Sequence, residues 1–490
     1  MRIEFEADPE SSTDSKSELA NTLRDLVATR TAEFAAGAPY FSGLPIMYTR
    51  SFLGSIRDYL ETQRPLEPNA WCSVLKLCSF EVKQYRNVVE DKRNYRETYM
   101  HLRTIISILQ SGFKQDETHL PVEERDLAWE VFRPLTNHPD PKADEEEADE
   151  DRATSSINTV RGEAMHTVVD YALWVKRNLD SDFKGMATVP EVREVLEKRL
   201  TEDASLTICA VYGKWYPWLE AIDPDWATEW KAQIFPESIE KRRCVAWETY
   251  VTFCPPYNGI FETLKGDYAW AVAKIGTWPE RQRSMGHPDE SLLEHLFAYY
   301  WRDRLPLDDP DISLREAYAK ASEEHKVAAL RFVGRSIKEW IFVGDETLDR
   351  LKTLWVDVVK PDGEQKTLET FGLWFSSDKF DESWSLAELQ YVLDYAHPSQ
   401  PEHWVIERLA TLSQEFPAES LGCLSSMYDH VEFPAYLEHW WEHVVAVLRA
   451  AICAEDQDTN AAAIQLANII GAKGVSSEHL DELRRLVKPQ

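Results

Sequence analysis

The sequence predicts a mainly α protein, an irregular α-solenoid of stacked helical pairs, with one small β-hairpin near residues 353–371. Three observations lead there. Between Ser156 and Trp174, apolar Ile157, Val160, Ala164, Val168 and Tyr171 recur at three- and four-residue steps, which lays them on one helix face. In the C-terminal third, helix starts signalled at Ser385, Pro417 and Thr459 stand 32 and 42 residues apart, the length of a two-helix unit. The chain of 490 residues is also longer than one ordinary compact core serves. A two-helix unit cannot bury its apolar face alone, so such units stack.

Taken in order, residues 1–16 read as a flexible tail, acidic and polar. Residues 17–137 read as an N-terminal helical region, carried by LANTLRDLVATRTAEFA and TYMHLRTIISILQSGF. Residues 138–152 contain the clearest break, PDPKADEEEADED, whose prolines and massed carboxylates predict a solvated acidic linker. An α-helical repeat array is expected over 153–490. Its opening helix takes an N-cap oxygen from Ser155 or Ser156, and small Gly162 and Ala164 admit a second helix closely. The many tryptophans from Trp174 to Trp301 suit either helix–helix packing or a cation–π ligand cage, and packing is the preferred reading. PLDDP at 306–310 punctuates the chain before a helical stretch from Ser313 to Trp340. The hairpin rests on Asp362-Gly363 between Trp355–Val359 and Thr367–Phe371. Further starts are signalled at Pro401, Phe433 and Ser476, and SSEHLDELRRLVKPQ reads as a cap on the stack. The unit length matches tetratricopeptide-like or HEAT-like arrays.

A formal net charge of −31, from 54 basic against 85 acidic residues, repels phosphate backbones and anionic lipid. General nucleic-acid binding and membrane association are therefore not expected. The short basic stretches Lys241–Arg243 and Arg302/Arg304 read as solvated faces. Seven dispersed cysteines without a C-x-x-C pair argue against a disulfide framework and fit a reducing cytoplasm. The N-terminus lacks the basic-then-apolar pattern of a signal peptide, and no apolar run is long enough to cross a bilayer. A cytoplasmic protein is expected.

Chemistry-bearing patterns are few. His439 and His443 in HWWEH share a helix face at i,i+4 and are candidate metal ligands, with His430 or Glu438 as a third; ordinary histidines are the preferred reading, and no metal is expected. Pro361-Asp362 with Glu364-Gln365-Lys366 spells the letters of a nuclease site, but the crowding reads as a turn. Asp308, Asp309 and Asp311 lack the spacing of a calcium loop. There is no G-x-S-x-G elbow and no G-x-x-x-x-G-K-[ST] loop. No catalytic residue and no cofactor can be assigned. Phe371–Trp384 gathers Trp374, Phe375, Phe380 and Trp384 around Asp378, Lys379 and Asp381, either as a protein-binding surface or as a joint between repeats, with the joint preferred.

Several phrases resemble the C-terminal helical-repeat region of large bacterial ATP-binding or sirtuin-like antiviral defence proteins. They are SINTVRG at Ser156–Gly162, YALW at Tyr171–Trp174, YYWRDRLP at Tyr299–Pro306, FGLWFSSDKFDESW at Phe371–Trp384, and ANIIGAKG at Ala467–Gly474. With their spacing they cover much of residues 66–490. The resemblance implies a sensor or scaffold region without the nucleotide-binding and effector modules. The expectation is a non-enzymatic protein-recognition or scaffold module in anti-phage defence. Its partner would be an effector, a nucleotide-binding protein or a phage protein. The alternative is a metal-dependent hydrolase or nuclease whose site is assembled from distant helices.

Overall fold

The computed structural model describes residues 13–86, 92–114, 120–146, 151–279, 283, 286–396, 401–429, 437–473 and 475–487. Most of the tail (1–12), the end of the acidic stretch (147–150), His430, Phe433 and Gly474 lie outside them. Among the described residues the protein is mainly α, with an isolated bridge between Asp308 and Ser313 and no β-strand. No helix among them is long and apolar enough to cross a membrane. None of the seven cysteines is in a disulfide.

Two compact units divide the chain: Met1–Ile260 with Glu280–Met285, and Phe261–Pro279 with Gly286–Gln490. The first holds α1 (Thr13–Thr29), α2 (Thr31–Ala36), α3 (Ile46–Glu61), α4 (Pro68–Tyr85), α5 (Lys92–Gly112), α6 (Arg125–Phe132), α7 (Arg152–Ser156), α8 (Val160–Leu179), α9 (Pro190–Glu202), α10 (Leu206–Ile222), α11 (Pro224–Ile234) and α12 (Glu240–Phe253). Contacts run α1–α3–α5–α8–α10–α12 in one row, and α2–α4–α6 in another. Wide apolar faces drive this: Phe52, Ile56, Leu102, Ile105, Leu109, Val168 and Tyr171 are all fully buried. Trp174, Trp226 and Trp247 fill the same interior.

The acidic stretch is partly built into this unit. Asp140 accepts the Val160 N–H on its carboxylate (3.1 Å) and the Arg161 N–H on its carbonyl (2.9 Å). It thereby serves the start of α8, where the sequence pointed to Ser155 or Ser156; those two residues lie in α7, which Asp151 caps through the Thr154 N–H. Glu146 receives Ser205 Oγ (2.6 Å) and the N–H groups of Leu206 (2.9 Å) and Thr207 (3.0 Å) at the N-terminus of α10. Burial raises the pKa of this carboxyl, but the donors outweigh it and hold the group below its ordinary value. A helix N-terminus is where a carboxylate is most stabilising.

Helix α13 (Asn258–Lys274) crosses the boundary between units. The second unit continues with α14 (Pro288–Trp301), α15 (Leu314–Lys320), α16 (Glu323–Glu339), α17 (Asp345–Leu354), α18 (Lys360–Asp362), α19 (Gln365–Glu369), α20 (Phe371–Phe375), α21 (Glu382–Tyr395), α22 (Glu402–Leu412), α23 (Pro417–Asp429), α24 (Trp441–Ile452), α25 (Gln457–Ala472) and α26 (Ser477–Val487). Here α14 packs on α16, α16 on α20, α20 on α22 and α22 on α24, while α21 packs on α23 and α23 on α24 and α25.

The hairpin expected at 353–371 is not seen. Helix α17 runs through a π-turn, Trp355–Val359, into α18. Trp355 and Val359 are fully buried at i,i+4 spacing, so the β-branched run serves a helix face. Gly363 then adopts φ +68° and stops the helix, which is the other use of an Asp-Gly pair. The nearby triple aspartate is a local loop: Asp309 accepts the Asp311 and Ile312 N–H groups (both 3.0 Å) and pairs with Lys265 (3.0 Å).

Candidate functional site

Helices α1, α3 and α5 enclose an open cleft of about 650 Å³ in the first unit. Each helix contributes one polar face: Asn21 and Arg24 from α1; Arg50, Ser51, Gly54 and Arg57 from α3; Arg96, Glu97, Met100 and Thr104 from α5. The opposite face of α3, with Phe52, Leu53, Ile56 and Leu60, is buried, which fixes the arginines outward. Ser55 Oγ donates to the Arg24 carbonyl (3.0 Å) and ties α3 to α1.

Four guanidinium groups thus line one cleft of a strongly acidic chain. Arg24 and Arg57 share Asp58, with Arg57 at 2.6 Å, and Arg57 also lies 3.4 Å from Glu61. Burial raises the Asp58 carboxyl, and hydrogen bonds from Arg57 and Arg24 overcome this to hold it below its ordinary value. Arg50 and Arg96 have no ion-pair partner among the described residues. A guanidinium always carries its charge and offers a planar fork of donors matched to carboxylate and phosphate. The cleft can therefore hold an anion, with Asn21, Ser51, Glu97 and Thr104 as its other polar lining. The spacings Arg50–Gly54–Arg57 and Arg96–Met100–Thr104 are helical faces readable in the sequence; only the packing of α1, α3 and α5 shows that they converge.

Other charged or catalytic-looking groups are occupied structurally. His166 is buried between Trp215 Nε1 (2.6 Å, to Nδ1) and Ser156 Oγ (2.9 Å, at Nε2). An indole N–H only donates, so Nδ1 is the acceptor and Nε2 carries the proton toward Ser156. Ser156 Oγ in turn donates to the Ala153 carbonyl (2.7 Å). This tautomer cannot take a proton from Ser156, so the pair is not a nucleophile and base. In the basic stretch at 241–243, Arg242 binds the Asp203 carbonyl (3.0 Å) and Arg243 is buried.

The residues singled out in the sequence are placed as follows. Trp374, Phe375 and Phe380 are buried and Trp384 is half-buried. Trp374 stacks on Phe380 at 5.9 Å and 10°, and Phe380 meets Trp384 at 5.1 Å, so these rings form interior packing rather than an exposed surface. His439 is exposed and His443 half-buried. The cluster of potential metal ligands found among the described residues is a different one, His287, Asp289 and His325. Asp362 and Glu364 both pair with buried Lys326 (2.9 and 3.1 Å), and Lys366 pairs with Glu323 (3.4 Å), so the nuclease-like letters make ion pairs.

No protein-family model matches the chain, and no curated protein matches it either.

Proposed function

We propose that the chain is a non-enzymatic recognition or scaffold module, its helical pairs stacked as an irregular solenoid, and that it takes an anionic group of its partner into the arginine cleft. The observation that carries this is the convergence of Arg24, Arg50, Arg57 and Arg96 on one cleft, with Arg50 and Arg96 in no ion pair among the described residues. In a chain with net charge −31, such a cluster is a local exception to the field. It favours a partner presenting acidic side chains or a phosphate, and the charge elsewhere repels other anions. The setting is bacterial antiviral defence in the cytoplasm, on the phrase-level resemblance described above. The partner is an effector, a nucleotide-binding protein or a phage protein.

The test is capture of partners on tagged protein from bacterial cells before and during phage infection, comparing the wild type with Arg50→Ala/Arg96→Ala. Losing two charge-assisted contacts should cost about 3 kcal/mol, roughly a hundredfold in affinity. The expected result is a partner recovered by the wild type and lost from the double variant, with unchanged melting temperature because neither side chain holds the fold together. Release of that partner by inorganic phosphate identifies a phosphate group as the contact; release only by raised salt identifies acidic side chains. Equal recovery on both proteins would remove the cleft from the proposal. The metal-dependent alternative depends on whether the second unit binds a cation.

A further inference from the structure

The first turns of two helices in the second unit bring two imidazoles and a carboxylate together. His287 is the N-cap of α14 and Asp289 is the second residue of that helix; His325 lies in the first turn of α16. Asp289 Oδ2 is 3.7 Å from His287 Nδ1 and 3.8 Å from His325 Nδ1, and one ligand atom from each of the three residues lies within 4.8 Å of the others. The rings stand face to face, 4.1 Å between centroids and 18° apart. We infer that His287, Asp289 and His325 form a binding site for one first-row transition-metal dication, with zinc the representative ion.

Three features argue for a cation there. The nitrogen–carboxylate distances are too long for hydrogen bonds, yet the atoms converge. A tetrahedral zinc ion with bonds of about 2.0–2.2 Å would hold its ligands roughly 3.3 Å apart. The two nitrogen–carboxylate distances exceed that by about half an ångström, the three ligand atoms lie within 4.8 Å of one another, and the stacked rings must turn out of their parallel arrangement for both nitrogens to face one ion. The carboxylate is fixed in advance: Asp289 is buried, and its Oδ2 accepts the Gly276 N–H at 2.9 Å. Gly276 reaches that position with φ +77°, a backbone conformation that favours glycine. A ligating carboxylate held by a backbone donor is the usual second layer of a metal site.

His325 supplies the third feature. Its Nδ1 is buried and has no hydrogen-bond partner among the described residues, although the His325 N–H itself is satisfied by Ser322 Oγ at 3.3 Å. A buried ring nitrogen left without a partner beside a carboxylate and a second imidazole is a position that a bound cation would satisfy. His287 Nδ1 accepts the Asp289 N–H at a long 3.2 Å, a weak bond that coordination would replace. Two imidazoles and one carboxylate suit zinc, nickel or iron(II) over magnesium or calcium, which take oxygen ligands. Three protein ligands leave a fourth position for water.

The experiment uses the full chain, stripped with a chelator and titrated with Co²⁺ and then Zn²⁺. The expected result is one equivalent of Co²⁺ per chain, with visible ligand-field absorption that one equivalent of Zn²⁺ abolishes. His325→Gln and His287→Gln keep polar side chains in place, and each should weaken Zn²⁺ binding at least a hundredfold. His439→Ala/His443→Ala should bind as the wild type does. A wild-type chain without the Co²⁺ spectrum would overturn the inference, whatever becomes of the variants. So would a spectrum that survives both glutamine substitutions or disappears in the His439→Ala/His443→Ala protein.

Discussion

Gly213→Ala is expected to destabilise the first unit by at least about 3 kcal/mol, the upper part of the range for overpacked interiors. Gly213 lies in the middle of α10, where alanine would ordinarily gain about 1 kcal/mol through helix propensity. Packing reverses the sign. A Cβ built at Gly213 would lie 2.0 Å from the Ala246 carbonyl oxygen and 2.7 Å from its carbon, both backbone atoms of α12. Rotation of a side chain cannot relieve that contact, so α10 and α12 must separate by more than an ångström. The cost spreads through the interior they share, where Cys209, Ala210 and Val245 pack together and Tyr216, Trp247 and Tyr250 are fully buried. Gly266→Ala provides the contrast. Gly266 is exposed on α13 with nothing within 4 Å of the added carbon, and a gain of up to about 1 kcal/mol is expected. Urea unfolding of the two variants decides it: wild-type stability for Gly213→Ala would mean that the two helices do not pack this closely.

The contact between Gly213 and Ala246 marks the limit of what the sequence makes legible. Helix existence and apolar faces follow from spacing, so Val160, Ala164, Val168 and Tyr171 are buried as their period predicts, whereas Ile157 lies before α8, at the end of α7, and is exposed. Helix starts at Pro401, Pro417 and Ser476 fall within a residue of α22, α23 and α26. At Ser385 and Thr459 the signal was displaced, because the capping side chains are Asp381 and Asp456, a few residues earlier. The cap of α8 was not legible at all, since Asp140 comes from a stretch whose charge suggested full solvation. Composition also cannot separate a buried aromatic joint from an exposed one. Trp374 and Phe380 look alike in either setting, and only their stacking inside the fold decides it. The arginine cleft was half visible: each helix shows its polar face in sequence, but the convergence of Arg24, Arg50 and Arg96 is tertiary. The same holds for His325 beside Asp289, which lie on different helices.

Asp170→Asn should make the protein more stable at neutral pH, by roughly 3 kcal/mol, and leave it unchanged below about pH 4. Asp170 lies on α8, and burial pushes its carboxyl from 3.8 up to about 6 against the opposing pull of Lys214, Arg177 and Lys114. The folded protein therefore binds this proton more tightly than the unfolded chain does. Its contribution is most favourable below pH 3.8 and is lost as pH rises through about 6. His166, one turn earlier on α8, works in the opposite direction. Burial, assisted by the positive charge of Lys214, lowers its imidazole from 6.5 to about 3, so the unfolded chain takes up the proton first. That contribution is fully present above pH 6.5 and falls by about 1.4 kcal/mol per pH unit on acidification. Between pH 6 and 4 the two slopes oppose each other in the wild type, and acid stability looks flat with respect to this pair. Asparagine removes the Asp170 slope and exposes that of His166, so the variant should lose stability steeply over the same window. Urea midpoints at pH 4, 5, 6 and 7 measure both curves. Parallel curves for variant and wild type would show that Asp170 titrates as it does in the unfolded chain, and the opposition between the two groups would then be absent.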